Sequence, residues 1–106
     1  MDKIRVAVLG AGAWARFAHI PGWLRDPRCA VVTLCDVEGE RARACAREFS
    51  IPEASDDWQA VVSRPDVDVV DVVTPSHTHF ELSWAALEAG KHVLRDRKST
   101  RLNSSH

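Results

Sequence analysis

Gly10, Gly12 and Ala15 stand in the pattern G-x-G-x-x-A, Gly10-Ala11-Gly12-Ala13-Trp14-Ala15, directly after the apolar run Ile4 to Leu9. An acidic residue, Asp36, ends the next apolar run, about 24 residues beyond Gly12. Glycine at the first position permits a sharp strand-to-helix turn. Glycine at the second lets a bulky anion approach the backbone, and a small third residue lets helix and strand pack closely. The start of a helix offers unpaired N–H groups and the positive end of a dipole, which together favour a phosphate. A carboxylate placed near 20 residues on can accept hydrogen bonds from a ribose. The chemistry suggested is dinucleotide binding, with Gly10, Gly12, Ala13, Trp14 and Asp36 at the cofactor. The glycine pattern alone is also compatible with a turn that binds nothing, and Asp36 also reads as a helix N-cap. Trp14 reads either as a ring bordering the cofactor or as packing against a later helix.

These residues need strands and helices to hold them. Ile4 to Leu9 reads as a central strand. A helix is expected over Ala13 to Arg25, bent or restarted by Pro21 near His19 to Gly22. A second strand spans Ala30 to Cys35. A helix from Glu38 to Phe49 carries Ala42, Cys45, Ala46 and Phe49 as an apolar stripe. Ser50 falls where glycine would ordinarily end that helix. A short third strand is expected at Ala54-Ser55, then a helix from Trp58 to Ser63 capped by Asp56 or Asp57. Val67 to Val73 is the strongest strand pattern, with Asp68 at its solvated entry and Asp71 inside it. The one physical reading offered for Asp71 is a hydrogen-bonded position near a sheet edge. A helix from His79 to Ala89 ends at Gly90, and Lys91 to Leu94 begins a fifth strand. Strand and helix alternate throughout, so the expected fold is α/β: a Rossmann-type parallel sheet with helices on both faces.

Composition narrows the function classes. The chain has 106 residues, 45% hydrophobic and 27% charged, with a formal net charge of −1. That balance suits one small globular domain and gives no reason to expect nucleic acid or an anionic membrane as a partner. No apolar run reaches bilayer-spanning length. Cys29, Cys35 and Cys45 are odd in number and form no C-x-x-C pair, which points to reduced thiols and a cytoplasmic setting. His77 and His79 lie two apart without further ligands near them, so no metal is expected.

Further stretches are more specific than the glycine turn. Val73-Thr74-Pro75-Ser76-His77-Thr78-His79 and Ala86-Leu87-Glu88-Ala89-Gly90-Lys91-His92-Val93-Leu94 join Ile4 to Gly12 and Leu34-Cys35-Asp36. Together they make the chain resemble the N-terminal domain of the glucose–fructose oxidoreductase, inositol dehydrogenase and MocA (Gfo/Idh/MocA) family over nearly all of Lys3 to Leu94. The resemblance implies an oxidoreductase that transfers hydride between a nicotinamide cofactor and a sugar, polyol or related carbonyl compound. By position it places Thr74 and Pro75 against the nicotinamide side and matches His79 to the histidine of the family's Pro-x-x-x-His pattern. It also implies a small-molecule substrate held by a separate C-terminal domain, and a parent protein that is a homo-oligomer. Asp36 favours NAD over NADP because a carboxylate repels a 2′-phosphate; an arginine such as Arg41 is the feature that would reverse this. The other readings are a non-catalytic NAD-sensing domain or a nucleotide-binding enzyme of another class, such as a methyltransferase.

The family's Glu-Lys-Pro motif does not follow Leu94; Arg95 to His106 stands there instead. Asp96 to His106 resembles translated sequencing adapter, so the dinucleotide-binding domain is expected to span residues 1–95 and to be C-terminally truncated. The tail at 96–106 is expected to be non-native and disordered, with no catalytic residue in the chain and no turnover by it alone. Lys98, between Arg97 and Ser99, is not the family's lysine.

Overall fold

The computed structural model describes residues 3–74 and 76–95, apart from the side chains at 76, 77, 79 and 95. Five parallel strands form one sheet in the order β3-β2-β1-β4-β5. They are β1 (Ile4–Leu9), β2 (Cys29–Cys35), β3 (Ala54–Ser55), β4 (Val69–Val72) and β5 (His92–Arg95). Between them run a π-turn (Ala15–His19) continuing as α1 (Ile20–Arg25), then α2 (Gly39–Phe49), α3 (Trp58–Val62) and α4 (Ser76–Glu88). The order reverses direction at β1 and β4, where an open α/β sheet forms a crevice at its carboxyl ends.

Burial explains why β1 sits at the centre. Val6, Ala7, Val8 and Leu9 are all buried, and successive side chains point to opposite faces. Val6 and Val8 join Ala15, Ile20, Cys45 and Ala46 in the core beneath α1 and α2. Ala7 and Leu9 join Val61, Val62, Leu82 and Ala86 beneath α3 and α4. Each buried valine or leucine contributes roughly 1.5–3 kcal/mol of hydrophobic stabilisation. The pairing of β1 with β2 slips between Val6 and Ala7, so Val6 faces Val31 while Ala7 faces Thr33.

Pro21 is accommodated by the π-turn that precedes it. The N–H of Ile20 bonds the carbonyl of Ala15, five residues back, which widens the helix, and Pro21 then occupies the first turn of α1. That position tolerates a missing N–H, and the wider turn relieves the clash a proline ring causes inside a regular helix. The expected bend is this change of helix type. At the other helix ends, Asp57 Oδ1 accepts from the Ala60 N–H at 3.2 Å and caps α3. Ser50 adopts the left-handed conformation at φ 57° and closes α2. Glycine takes that conformation without strain, so Ser50→Gly is expected to raise stability by about 1 kcal/mol. Thermal unfolding followed by circular dichroism checks this; an unchanged or lower melting temperature would contradict it.

Asp71 departs from the sequence expectation. It lies on β4, flanked by β1 and β5 rather than at an edge, and is fully buried. Its Oδ2 accepts from Trp23 Nε1 at 2.7 Å and lies 2.8 Å from His19 Nδ1. The π-turn and α1 bring polar partners down onto the sheet for Oδ2, while Oδ1 is buried without a partner among the described residues. Asp68, by contrast, lies at the strand entry as expected, paired with Arg5 Nε at 3.1 Å.

Candidate dinucleotide-binding site

The turn after β1 is held from two sides. Gly10 has φ +118°, and its N–H donates to the Cys35 carbonyl at 2.6 Å. A Cβ at Gly10 would lie 2.9 Å from the backbone carbonyl carbon and oxygen of Val73. Glycine is therefore required there by the end of β4 as well as by the turn's own dihedral. Gly12 differs: a Cβ there would meet no atom within 4 Å. The space before it is open, and the helix starts immediately afterwards, with Arg16 N–H bonded to the Gly12 carbonyl at 3.1 Å. N–H groups of a first helical turn have no acceptor within the helix and remain available to an anion. Ala15 is buried in the core beneath the helix, the close packing its small side chain predicts.

Asp36 is fastened to this turn. Its Oδ2 accepts from the Ala11 N–H at 2.8 Å, and its Oδ1 accepts from the Glu38 N–H at 2.8 Å and from Arg41 Nη2 at 3.0 Å. The residue is only 7% exposed. Burial pushes its carboxyl pKa upward, but the bonds from Arg41, Glu38 and Ala11 outweigh this and hold it below the usual carboxylate value. Asp36 is therefore an anion at neutral pH, facing the start of the first helix. The N-cap of α2 is Glu38, with Asp36 supporting it through the Glu38 N–H.

Thr74 follows β4 and borders Gly10: its backbone nitrogen would be 3.2 Å from a Gly10 Cβ. Its Oγ1 is buried and has no hydrogen-bond partner among the described residues. A glycine turn open at Gly12 and bonded through Ala11 to a buried acid fits the donor and acceptor groups of a dinucleotide. Pro75 and the side chain of His79, also expected at the cofactor, lie outside the described residues, as does the segment 96–106. Ala13 is exposed at the helix start. Trp14 is 53% exposed, its ring standing edge-on to His19 with centroids 6.1 Å apart.

The structure adds a cluster that reading along the chain did not assemble. His19 and Trp23, four residues apart on one helical face, both reach Asp71 beside a cavity of about 450 Å³ bounded also by Gly22 and Leu94. The i, i+4 spacing of two polar-tipped rings, together with an aspartate inside an apolar strand, was the available signal. The buried Cys35 thiol is pushed up to about 12, chiefly by burial and then by Asp36, Asp56 and Asp57, so it supplies no thiolate nucleophile at neutral pH. Among the described residues no group of three His, Cys, Asp or Glu is placed to hold a metal ion, and no helix is long and apolar enough to cross a membrane.

Comparison with known proteins agrees with this fold. The Gfo/Idh/MocA family model, an oxidoreductase family with an NAD-binding Rossmann fold, matches residues 4–97. Levoglucosan dehydrogenase of Pseudarthrobacter phenanthrenivorans is 30% identical over 108 residues, covering 95% of this chain and 28% of that protein. A glycosyl hydrolase family 109 protein of Streptomyces coelicolor is 32% identical over 100 residues, covering 86% of this chain and 21% of that protein. The crystal structure of a 3-ketoreductase from Actinomadura kijaniata in complex with NADP superimposes with a TM-score of 0.83 at 33% identity, covering 89% of this chain and 30% of the ketoreductase. The chain thus spans under a third of the length of each of these three proteins.

Proposed function

Because this chain belongs to the Gfo/Idh/MocA oxidoreductase family, we propose that it is the cofactor-binding part of an enzyme acting on a sugar, a polyol or a related carbonyl compound. When bound, NAD or NADP supplies the chemistry of hydride transfer between its nicotinamide ring and a carbinol or carbonyl carbon. The chain's own residues bind and orient. The N–H groups after Gly12 hold the pyrophosphate at the helix start, and Asp36 accepts from the adenosine ribose. Thr74, at the end of β4, borders the cofactor's other half on the strength of the family pattern. Pro75 and His79 complete that end on the strength of the family pattern. Substrate recognition and assembly into a homo-oligomer belong to the remainder of the parent protein.

The observation that carries this reading is the open space at Gly12 together with a buried carboxylate bonded to the neighbouring Ala11 N–H. The purified 106-residue chain is expected to bind NADH saturably, seen as tryptophan quenching with energy transfer to the dinucleotide. It is also expected to show no substrate-dependent NADH formation with sugars or polyols. Saturable binding of S-adenosylmethionine alone would overturn the proposal in favour of a different nucleotide enzyme. A second reading, glycoside hydrolysis built on the same cofactor domain, is supported by the similarity to a glycosyl hydrolase family 109 protein. It is distinguished by whether the parent enzyme cleaves a glycoside or changes the cofactor's redox state.

A further inference from the structure

We infer that Asp71 is a positioning residue for the dinucleotide site: through His19 and Trp23 it fixes the helix whose first turn holds the phosphates. The inference rests on the dinucleotide reading of the Gly12 turn and adds to it a residue far from the glycine motif in sequence. A carboxylate inside an apolar strand is costly. Asp71 is fully buried between the buried Val70 and Val72, and its Oδ1 has no hydrogen-bond partner among the described residues. Buried polar groups of this kind are often replaceable by apolar ones without loss of stability. The acid therefore serves orientation, which hydrophobic contact supplies only loosely because it is non-directional. Its Oδ2 accepts from Trp23 Nε1 at 2.7 Å and lies 2.8 Å from His19 Nδ1. One atom of the sheet thus gathers two side chains from one helical face.

The fold makes such a fix necessary. The helical segment that begins after Gly12 passes through the π-turn at Ala15–His19 before it becomes α1. A π-turn inserts an extra residue into the helical register, so the direction of the first N–H groups relative to α1 depends on the turn keeping its width. His19 closes the π-turn and Trp23 lies in α1, so Asp71 holds both sides of that junction. The same strand governs the turn before the helix. Asp71 pairs with Val8 of β1. Two residues on, Val73 abuts Gly10 and donates its N–H to the Leu9 carbonyl at 2.8 Å. His19 carries the link forward, its ring edge-on to that of Trp14 within the glycine motif. Hydrogen bonds to an anion weaken steeply as donors turn off line, so a small swing of the helix lowers affinity.

NADH titrations of the 106-residue chain by calorimetry, set beside urea midpoints, test this in three variants. Asp71→Val places a good strand former there. It is expected to hold or raise the midpoint while weakening NADH by about tenfold. Asp71→Asn keeps an acceptor for Trp23 and can donate to His19 Nδ1 once that ring takes its other tautomer. It is expected to bring affinity back to within about threefold of wild type. His19→Ala sits at a part-buried helical position where alanine favours the helix, and is expected to weaken NADH by about fivefold. This variant decides the matter should Asp71→Val not fold. The Trp23 indole N–H, followed by proton NMR in deuterium oxide, is expected to exchange slowly in wild type and Asp71→Asn and fast in Asp71→Val. Wild-type affinity in Asp71→Val or His19→Ala, affinity lost only in step with a falling midpoint, or Asp71→Asn as weak as Asp71→Val would overturn the inference and leave the dinucleotide reading standing. Failure of the wild-type chain to bind NADH would overturn both.

Discussion

Gly12→Val is expected to weaken NADH binding by more than about a hundredfold, equivalent to about 2.7 kcal/mol, while leaving the folded domain intact. The two halves of that result have separate causes. A Cβ at Gly12 meets no protein atom within 4 Å, so the root of the new side chain displaces nothing in the fold. The same open space is where a pyrophosphate has to approach the first helical turn closely enough for its N–H groups to donate. A branched side chain fills it and holds the phosphates out of hydrogen-bond reach. Denaturant midpoints measured beside NADH titrations check both halves. A large loss of stability together with binding would show that Gly12 serves folding, and unchanged affinity would place the phosphates elsewhere.

Gly10→Ala is expected to act in the opposite way, lowering stability by about 2–5 kcal/mol, the sum of backbone strain and forced overpacking. Gly10 has φ +118°, a region that a residue with a Cβ rarely enters. The new Cβ would also press to 2.9 Å from the Val73 backbone, and backbone tied to β1 by the Val73 N–H bond to the Leu9 carbonyl cannot move aside as a flexible side chain can. Either alanine drives β1 and β4 apart, losing part of the core they share, or the turn rebuilds and loses its bond to Cys35. With total stability typically about 5–15 kcal/mol, a loss of this size consumes a large part of it. Equilibrium unfolding in urea monitored by circular dichroism gives the answer, and a wild-type midpoint would refute it. Two glycines of one short motif thus answer to different demands, one from the ligand and one from the neighbouring strand.

Much of the fold was legible in the chain itself. Ile4 to Leu9 reads as a strand covered on both faces and is a strand, buried from Val6 to Leu9; Ser50 stands where glycine would ordinarily end a helix and adopts φ 57°. Asp57 rather than Asp56 caps α3, a choice that rests on one residue of helix phase. Of the expected cofactor residues, Gly10, Gly12 and Asp36 come together around one turn, with Thr74 beside it. Trp14 stands half in solvent against His19. Asp71 was misplaced because an aspartate inside an apolar strand most simply suggests an edge. Its partners are on a helix 48 and 52 residues earlier, where no local pattern points to them.

By itself, then, the sequence determined the order of strands and helices and the glycine turn. Each of these depends on interactions within a few residues, and period and spacing record such interactions directly. The tertiary structure alone decided that Gly10 yields to Val73, that Asp36 is locked to Ala11, that Arg41 neutralises it, and that His19 and Trp23 shelter Asp71. The longest of these contacts join residues far apart in the chain that the parallel crossovers bring together. Their energies depend on distance, burial and charge in three dimensions, which spacing along a chain does not encode.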